Sequence, residues 1–161
     1  MKYYIRRKIE QIRRVIRWIP VIWKLYDFDY RSAIDVFQFQ LNTIGDFLDS
    51  NRAFSANAKN EAKRIKTITK LMQKVYDEDY ACEYQDIMES IAGKRTTEFV
   101  KTDDGNYVYM THKWANARTD EENEFFEKLN MEYFKMCQAN QERAHELLWK
   151  LIEHNIRKWW D

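Results

Sequence analysis

The residues best suited to binding chemistry are arginines in the first part of the chain. Arg6, Arg13 and Arg17 fall near one face of a helix-like repeat, and aromatic residues lie close by. A guanidinium binds phosphate through paired N–H groups, and aromatic rings stack on nucleobases. We therefore predict that a small anionic ligand is bound by six residues: Arg6, Arg13, Arg17, Trp23, Tyr30 and Lys158.

The charge distribution offers a simpler interpretation of the same arginines. Residues 1–24 carry eight of the chain's 27 Lys and Arg residues but one of its 26 Asp and Glu residues. Acidic residues concentrate in 77–89 and 120–127. The basic face could be solvated and paired with these acidic blocks, within one chain or between copies of a homo-oligomer. The near-neutral net charge of +1 disfavours nucleic-acid binding, which usually requires a net basic surface.

Candidate metal ligands are weaker. Asp27 and Asp29 flank Phe28 and lack the glycine and further oxygen ligands of a calcium loop, so helix capping is the better interpretation. Glu142 and His145 form an E-x-x-H, but a di-iron bundle needs a second such motif and two more glutamates. The sequence predicts no metal and no cofactor.

The sequence also predicts a protein that is not an enzyme. It has no G-x-S-x-G, no glycine-rich phosphate loop and no S-x-x-K. Cys82 and Cys137 have acidic or apolar neighbours, which do not favour a thiolate, and their spacing does not suggest a disulfide framework. We expect free thiols in a reducing cytosol, with no secretory signal and no membrane-spanning segment.

The predicted elements are mostly helices. The first carries isoleucine at a 4-3-4-3 spacing and is predicted to end at Pro20, with Asp29 or Asp27 capping the next helix. Such a basic amphipathic helix could lie on a membrane surface, but its narrow stripe suits a partner helix better. The isoleucines of this stripe are Ile5, Ile9, Ile12, Ile16 and Ile19.

Three further helices follow before residue 93. The segment "YDEDY" is predicted to interrupt the third, and Gly93 to end the fourth. The predicted stripe of the second helix is Ile34, Phe37, Leu41, Ile44 and Leu48. That of the third is Ala58, Ala62, Ile65, Ile68, Met72 and Val75, and that of the fourth is Tyr80, Tyr84, Ile87, Met88 and Ile91.

The spacing of apolar residues changes from a helical to a strand-like pattern after Gly93. β-Branched and aromatic residues flank Asp104-Gly105, which predicts a hairpin over about residues 96–112. Phe99 is expected to share one face of the hairpin with Tyr107 and Tyr109. The other face is expected to carry Val100, Val108 and Met110. Because an isolated hairpin is marginal in water, it should pack on helices or on a second copy.

The last segment is helical again. Thr119 and Glu122 form a capping box, and either one long helix or two broken near "CQANQER" could follow. The stripes are Phe126, Leu129, Tyr133 and Met136, then Leu147, Leu148, Leu151, Ile152 and Ile156. Trp159 and Trp160 are expected to dock, with Trp18 and Trp23 as candidate contacts. The predicted fold is a mainly α-helical bundle with one β-hairpin insertion, forming a single helical domain over residues 1–161. We expect this domain to form a homo-oligomer.

Three segments resemble a family of small uncharacterised accessory proteins of tailed bacteriophages: "RWIPVIWKLYDFDYRSAIDVFQFQL", "DEDY" near residue 80 and the closing "WWD". The sequence departs from that pattern at Phe28, where the family has Trp, and residues 93–118 are not covered. The matching positions are Ile19, Pro20, Ile22, Trp23, Asp27, Asp29, Tyr30, Asp79, Tyr80, Trp159, Trp160 and Asp161. The resemblance implies an accessory phage protein acting in the cytoplasm of an infected bacterium.

These observations lead to one main hypothesis of function. The protein is expected to sequester a small anionic, nucleotide-derived signal of host defence without chemical conversion. Two alternatives remain open. One is a helical module that binds and inhibits a host protein, and the other is a nucleic-acid binder.

Overall fold

The computed structural model describes the backbone of residues 2–103 and 105–159, and the side chains of these residues except Lys2. Asp104, Trp160 and Asp161, which belong to the predicted hairpin turn and to the "WWD" pattern, lie outside the described residues. The protein is 72% helical, with five helices and a two-stranded antiparallel hairpin in the described part. This confirms the predicted mainly α bundle with a hairpin.

The helices are α1 (Lys2–Ile22), α2 (Tyr30–Asp49), α3 (Ala58–Tyr76), α4 (Asp79–Ala92) and α5 (Asp120–Asn155). The strands are β1 (Arg95–Lys101) and β2 (Val108–Trp114), and the 3-10 helix η1 (Ile156–Lys158) follows α5. The chain forms two compact units. Unit 1 comprises 1–76 and 148–161, and unit 2 comprises 77–147.

Pro20 does not end the first helix, so that prediction is wrong. The helix α1 continues to Ile22, and the Trp23 N–H donates to the Ile19 carbonyl over 2.9 Å. Proline in a helix lacks one N–H and crowds the carbonyl four residues earlier, here that of Ile16. In the last turn this costs one backbone hydrogen bond, which the helix tolerates. Asp29 caps α2 as predicted, because its side chain accepts from the Arg31 N–H over 2.8 Å.

The core of unit 1 is centred on α3. Its predicted stripe is fully buried, with exposed fractions of 0% to 5%. Gly45 of α2 allows close approach, because a Cβ there would lie 3.1 Å from the Ile65 side chain. Gln38 of α2 donates to the Thr69 carbonyl over 3.0 Å. Further buried residues of this unit are Leu41, Leu48, Leu148, Ile152 and Trp159.

Unit 2 has its own small core. Met88, Ala92 and Trp114 are buried together, and the partly buried side chains against them are Ala117, Phe126, Leu129 and Tyr133. The predicted break at "YDEDY" is confirmed, since α3 ends at Tyr76 and Glu78 adopts φ 59°. Gly93, with φ 74°, follows α4 as predicted. The predicted stripe of α4 needs correction, because Ile91 is exposed and Ala81 and Ala92 are buried instead.

The hairpin is slightly longer than predicted, and its faces differ. Phe99 pairs with Met110, and Val100 pairs with Tyr109. Directly opposed residues of an antiparallel pair share a face, so Phe99 lies with Met110 and not with Tyr109. At its base, the indole N–H of Trp114 donates to Glu127 over 2.8 Å, and Arg95 forms an ion pair with the same carboxylate at 2.7 Å. The hairpin therefore packs on a helix of its own unit.

The segment after the hairpin forms one long helix and is not broken near "CQANQER". The helix α5 runs unbroken over 36 residues. Thr119 accepts from the Glu122 N–H over 3.2 Å, and Glu122 accepts from the Arg118 N–H over 2.7 Å. The predicted stripes of this helix are buried only in part, since Met136 and Leu147 are exposed.

Candidate functional site

The six residues predicted to bind a ligand all belong to unit 1 but do not line one recess. Arg6 and Arg13 lie on α1 and line a recess of about 430 Å³ with Arg52, whereas Arg17 lines neither that recess nor the one described below. Arg6 also pairs with Glu10 at 3.7 Å. Lys158 lies in η1 and lines a different recess. The ligand-binding role of these residues remains a prediction.

The two aromatic residues of the predicted set, Trp23 and Tyr30, have different surroundings. Trp23 is 87% exposed, so it is not the docking contact expected for Trp159. Tyr30 is exposed but lies beside Tyr76, with ring centroids 6.5 Å apart. Burial raises the pKa of the Tyr76 hydroxyl, although a hydrogen bond with Trp149 opposes this shift. Tyr30 thus lies beside a partly buried aromatic side chain and lines neither the recess with Arg6 and Arg13 nor the one described below.

Trp159 docks as predicted, being only 4% exposed, but not against Trp23. Its indole N–H is buried and has no hydrogen-bond partner among the described residues. The other tryptophan named as a contact, Trp18, is half-buried and packs edge-on against Phe39 of α2, with ring centroids 4.6 Å apart. Trp18 therefore holds α1 to α2.

The recess lined by Lys158 is the strongest candidate for a ligand site. It has a volume of about 440 Å³, within the range of small-molecule pockets. Two faces form it. One is on α3, and the other runs from the last turn of α5 into η1. This basic recess is lined by Lys63, Arg64, Thr67, Ile68, Leu151, His154, Asn155 and Lys158.

Helical spacing explains why these side chains converge. On α3 the lining residues are spaced by one, three and one positions, and on α5 and η1 by three, one and three positions. Both patterns put successive side chains on one helix face. Ile68 is buried and Leu151 half-buried, so apolar side chains lie among the cationic ones.

The cations of the basic recess are not equally available. Arg64 forms an ion pair with Glu61 at 2.7 Å, and that carboxylate is nearly buried. Asn57 donates to the same Glu61 oxygen over 3.1 Å. By contrast, no ion pair of Lys63 or Lys158 is formed with the described residues. These two lysines are therefore not held by an ion pair within the described part of the chain, and the charge of Lys63 also lowers the pKa of the nearby Asp49 carboxyl group.

His154 lies beside Lys158, with the imidazole Nε2 3.3 Å from the lysine Nζ. A lysine ammonium can only donate, so the Nε2 atom of His154 is the acceptor in this contact. Both residues are near the end of α5, where exposed carbonyl groups favour cations and oppose anions. An anion bound here must therefore be held by the side chains and not by the helix end.

Sequence reasoning missed five polar residues of the basic recess, namely Lys63, Arg64, Thr67, His154 and Asn155. Each of its two faces has an ordinary helical spacing of polar residues. Nothing in either segment indicates that residues 63–68 meet residues 151–158. This pairing depends on tertiary packing alone.

Other chemistry finds little support. Among the described residues, no group of three or more His, Cys, Asp or Glu side chains is arranged to hold a metal ion. Cys137 is buried and Cys82 is exposed, and both are free thiols as predicted. None of the helices in the described ranges is long and apolar enough to cross a membrane.

The chain was compared with protein families, curated proteins and solved structures. The chain matches no protein-family model, no curated protein and no solved structure. The resemblance to phage accessory proteins therefore stays a prediction.

Proposed function

We propose that the protein binds a small phosphate-bearing ligand in the basic recess and holds it without chemical change. The observation that carries the proposal is the convergence of Lys63, Arg64 and Lys158 on one recess of about 440 Å³. Charge-assisted hydrogen bonds from lysine and arginine are the usual means of holding phosphate. Ile68 and Leu151 supply an apolar contact for the rest of the ligand.

The proposed biological role is sequestration. The resemblance of residues 17–41 and of the closing "WWD" to phage accessory proteins suggests an infected bacterial cytoplasm as the setting. A nucleotide-derived signal of host defence combines phosphate with a flat aromatic base, whose face can contact Ile68 and Leu151, and so suits the recess chemically. Binding such a signal lowers its free concentration and needs no catalytic residue.

Isothermal titration with pyrophosphate and with a panel of mono-, di- and cyclic nucleotides tests this proposal. We expect at least one nucleotide to bind and to be recovered unchanged by chromatography. Lys63→Gln and Lys158→Gln should each weaken binding by about tenfold, the size of one charged hydrogen bond. Lys135→Gln, on the exposed surface of α5 in unit 2, removes the same charge and should have no effect.

Two results would contradict the proposal. One is the absence of binding by every nucleotide at micromolar concentration. The other is binding that Arg13→Gln abolishes while Lys63→Gln and Lys158→Gln leave it unchanged. That second result would move the ligand to the recess lined by Arg6, Arg13 and Arg52.

A further inference from the structure

The isoleucine stripe of α1 is not covered by the rest of the described chain. Its five isoleucines are exposed to between 45% and 59%. Val15 and Ile22 are similarly exposed and extend the stripe along one side. A contiguous apolar surface of this kind on a folded protein marks a binding surface for a partner.

The spacing of the stripe indicates which kind of partner fits. Alternating steps of four and three residues correspond to a repeat of 3.5, which is the seam of a coiled coil. Isoleucine at both seam positions packs well between helices, because its branched side chain fills the holes of a facing helix. A second helix is therefore a better match for this stripe than a flat surface.

The charges beside the seam select the partner further. Arg6 and Arg13 follow Ile5 and Ile12 directly and flank one edge of the seam, and Lys8 flanks the other. Positions next to the seam set pairing through charge, so a partner with Asp or Glu there is favoured. Arg52, which lines the same recess as Ile5 and Ile9, adds another cation.

These flanks disfavour a second copy of α1 as the occupant. In a parallel pair, Lys8 of one copy would face Arg13 of the other. In an antiparallel pair, the arginine edges of the two copies would face each other. Like charges in both arrangements oppose self-pairing.

We propose that α1 docks an acidic amphipathic helix of a partner protein, with Ile, Leu or Val along its seam and Asp or Glu beside it. The partner helix lies along the stripe from Ile5 to Ile19. This surface is separate from the basic recess, so the two proposals can fail independently.

Fluorescence anisotropy with a labelled synthetic heptad peptide tests the docking. The peptide carries isoleucine and leucine at its seam and glutamate beside it, and a matched peptide carries lysine in place of glutamate. We expect the full-length protein to bind the glutamate peptide at least tenfold more tightly, with an affinity that falls as salt increases.

Three variants assign the binding to the seam. Ile12→Asp should abolish it, while circular dichroism shows an unchanged fold because Ile12 is exposed. Arg13→Gln should weaken binding several-fold and reduce its salt dependence. Arg14→Gln is the matched control, because Arg14 lies on the opposite side of α1 from Ile12, and it should bind normally.

Four outcomes would overturn the proposal. Equal affinity for the two peptides, or binding that survives Ile12→Asp, would exclude a charge-selected seam. Self-association in sedimentation velocity that Ile12→Asp abolishes would identify a second copy as the occupant. Ile12-dependent binding to phosphatidylglycerol vesicles without peptide binding would identify a membrane surface.

Discussion

The helices α1 and α3 carry apolar stripes of similar regularity, but their surroundings are opposite. In α3 the stripe is at most 5% exposed, while in α1 the five isoleucines are at least 45% exposed. Both helices are long and both are rich in basic residues. What separates them is the chain around them. Close packing against α2 at Gly45 covers α3, and no described element covers the seam of α1. A helix with a regular stripe has a preferred side for burial, and that side still needs a partner.

The largest expected effect comes from the same substitution made in each of the two stripes. Ile65→Ala removes a fully buried side chain and leaves a cavity, which costs about 2–5 kcal/mol of folding free energy. Ile12→Ala makes the same chemical change on an exposed surface and should change stability by less than about 0.5 kcal/mol. Urea unfolding followed by circular dichroism measures both. Equal destabilisation would mean that the seam of α1 is covered in the isolated protein.

Pro20→Ala should stabilise α1 and leave α3 unchanged. Alanine restores the N–H that can donate to the Ile16 carbonyl and removes a ring that crowds it. Proline costs up to about 3 kcal/mol in a helix interior, and we expect a gain of about 1 kcal/mol or more in the last turn. Amide hydrogen exchange should show greater protection in α1 and no change in α3. Unchanged exchange in α1 would show that the proline is already accommodated without cost.

The smallest effect on stability is expected from an exposed ion pair between α3 and α2. Lys66 of α3 donates to Asp49 of α2 over 2.6 Å, and this hydrogen bond and the lysine charge lower the pKa of Asp49 below 3.8. Because the pKa of Asp49 is lower in the folded protein, the ionised carboxylate stabilises the fold at pH values above the ordinary pKa of this group. The contribution is lost as the pH falls through the lowered value.

Asp49→Asn should therefore destabilise the protein slightly at neutral pH and have no effect in strong acid. Because both side chains are about half exposed, solvent screens the pair and the effect stays small. Urea midpoints measured across the acid range give the test. Asp86→Asn, an exposed acidic position in unit 2, serves as control. An equal loss at both ends of the pH range would assign the effect to packing instead of charge.

Much of the fold was predictable because local signals agree with tertiary packing. The stripe of α3 was identified in full, as were the Asp29 cap and the stop at Gly93. Each of these depends on a few neighbouring residues. The prediction at Pro20 was wrong because a proline in a last turn removes only one hydrogen bond. The prediction for Trp23 was wrong because a large apolar side chain does not by itself specify a contact.

The candidate site was predictable only at Lys158. The basic recess needs residues 63–68 and 151–158 to meet, and neither segment carries a signal for the other. The arginines of α1 suggest a site because they are close in sequence. Cationic residues that are close in sequence concentrate charge on one helix. The basic recess, by contrast, is formed by faces of two separate helical segments.

The division of the chain has a consequence for synthesis on the ribosome. Unit 1 is made of residues 1–76 and 148–161, and its buried residues include Leu148, Ile152 and Trp159. These side chains are translated only after the whole of unit 2 has been made. The nascent N-terminal helices must therefore wait with part of their apolar surface uncovered, and unit 2 is the first region able to complete its own core. Translation order thus makes the late C-terminal segment the closing step of assembly for unit 1.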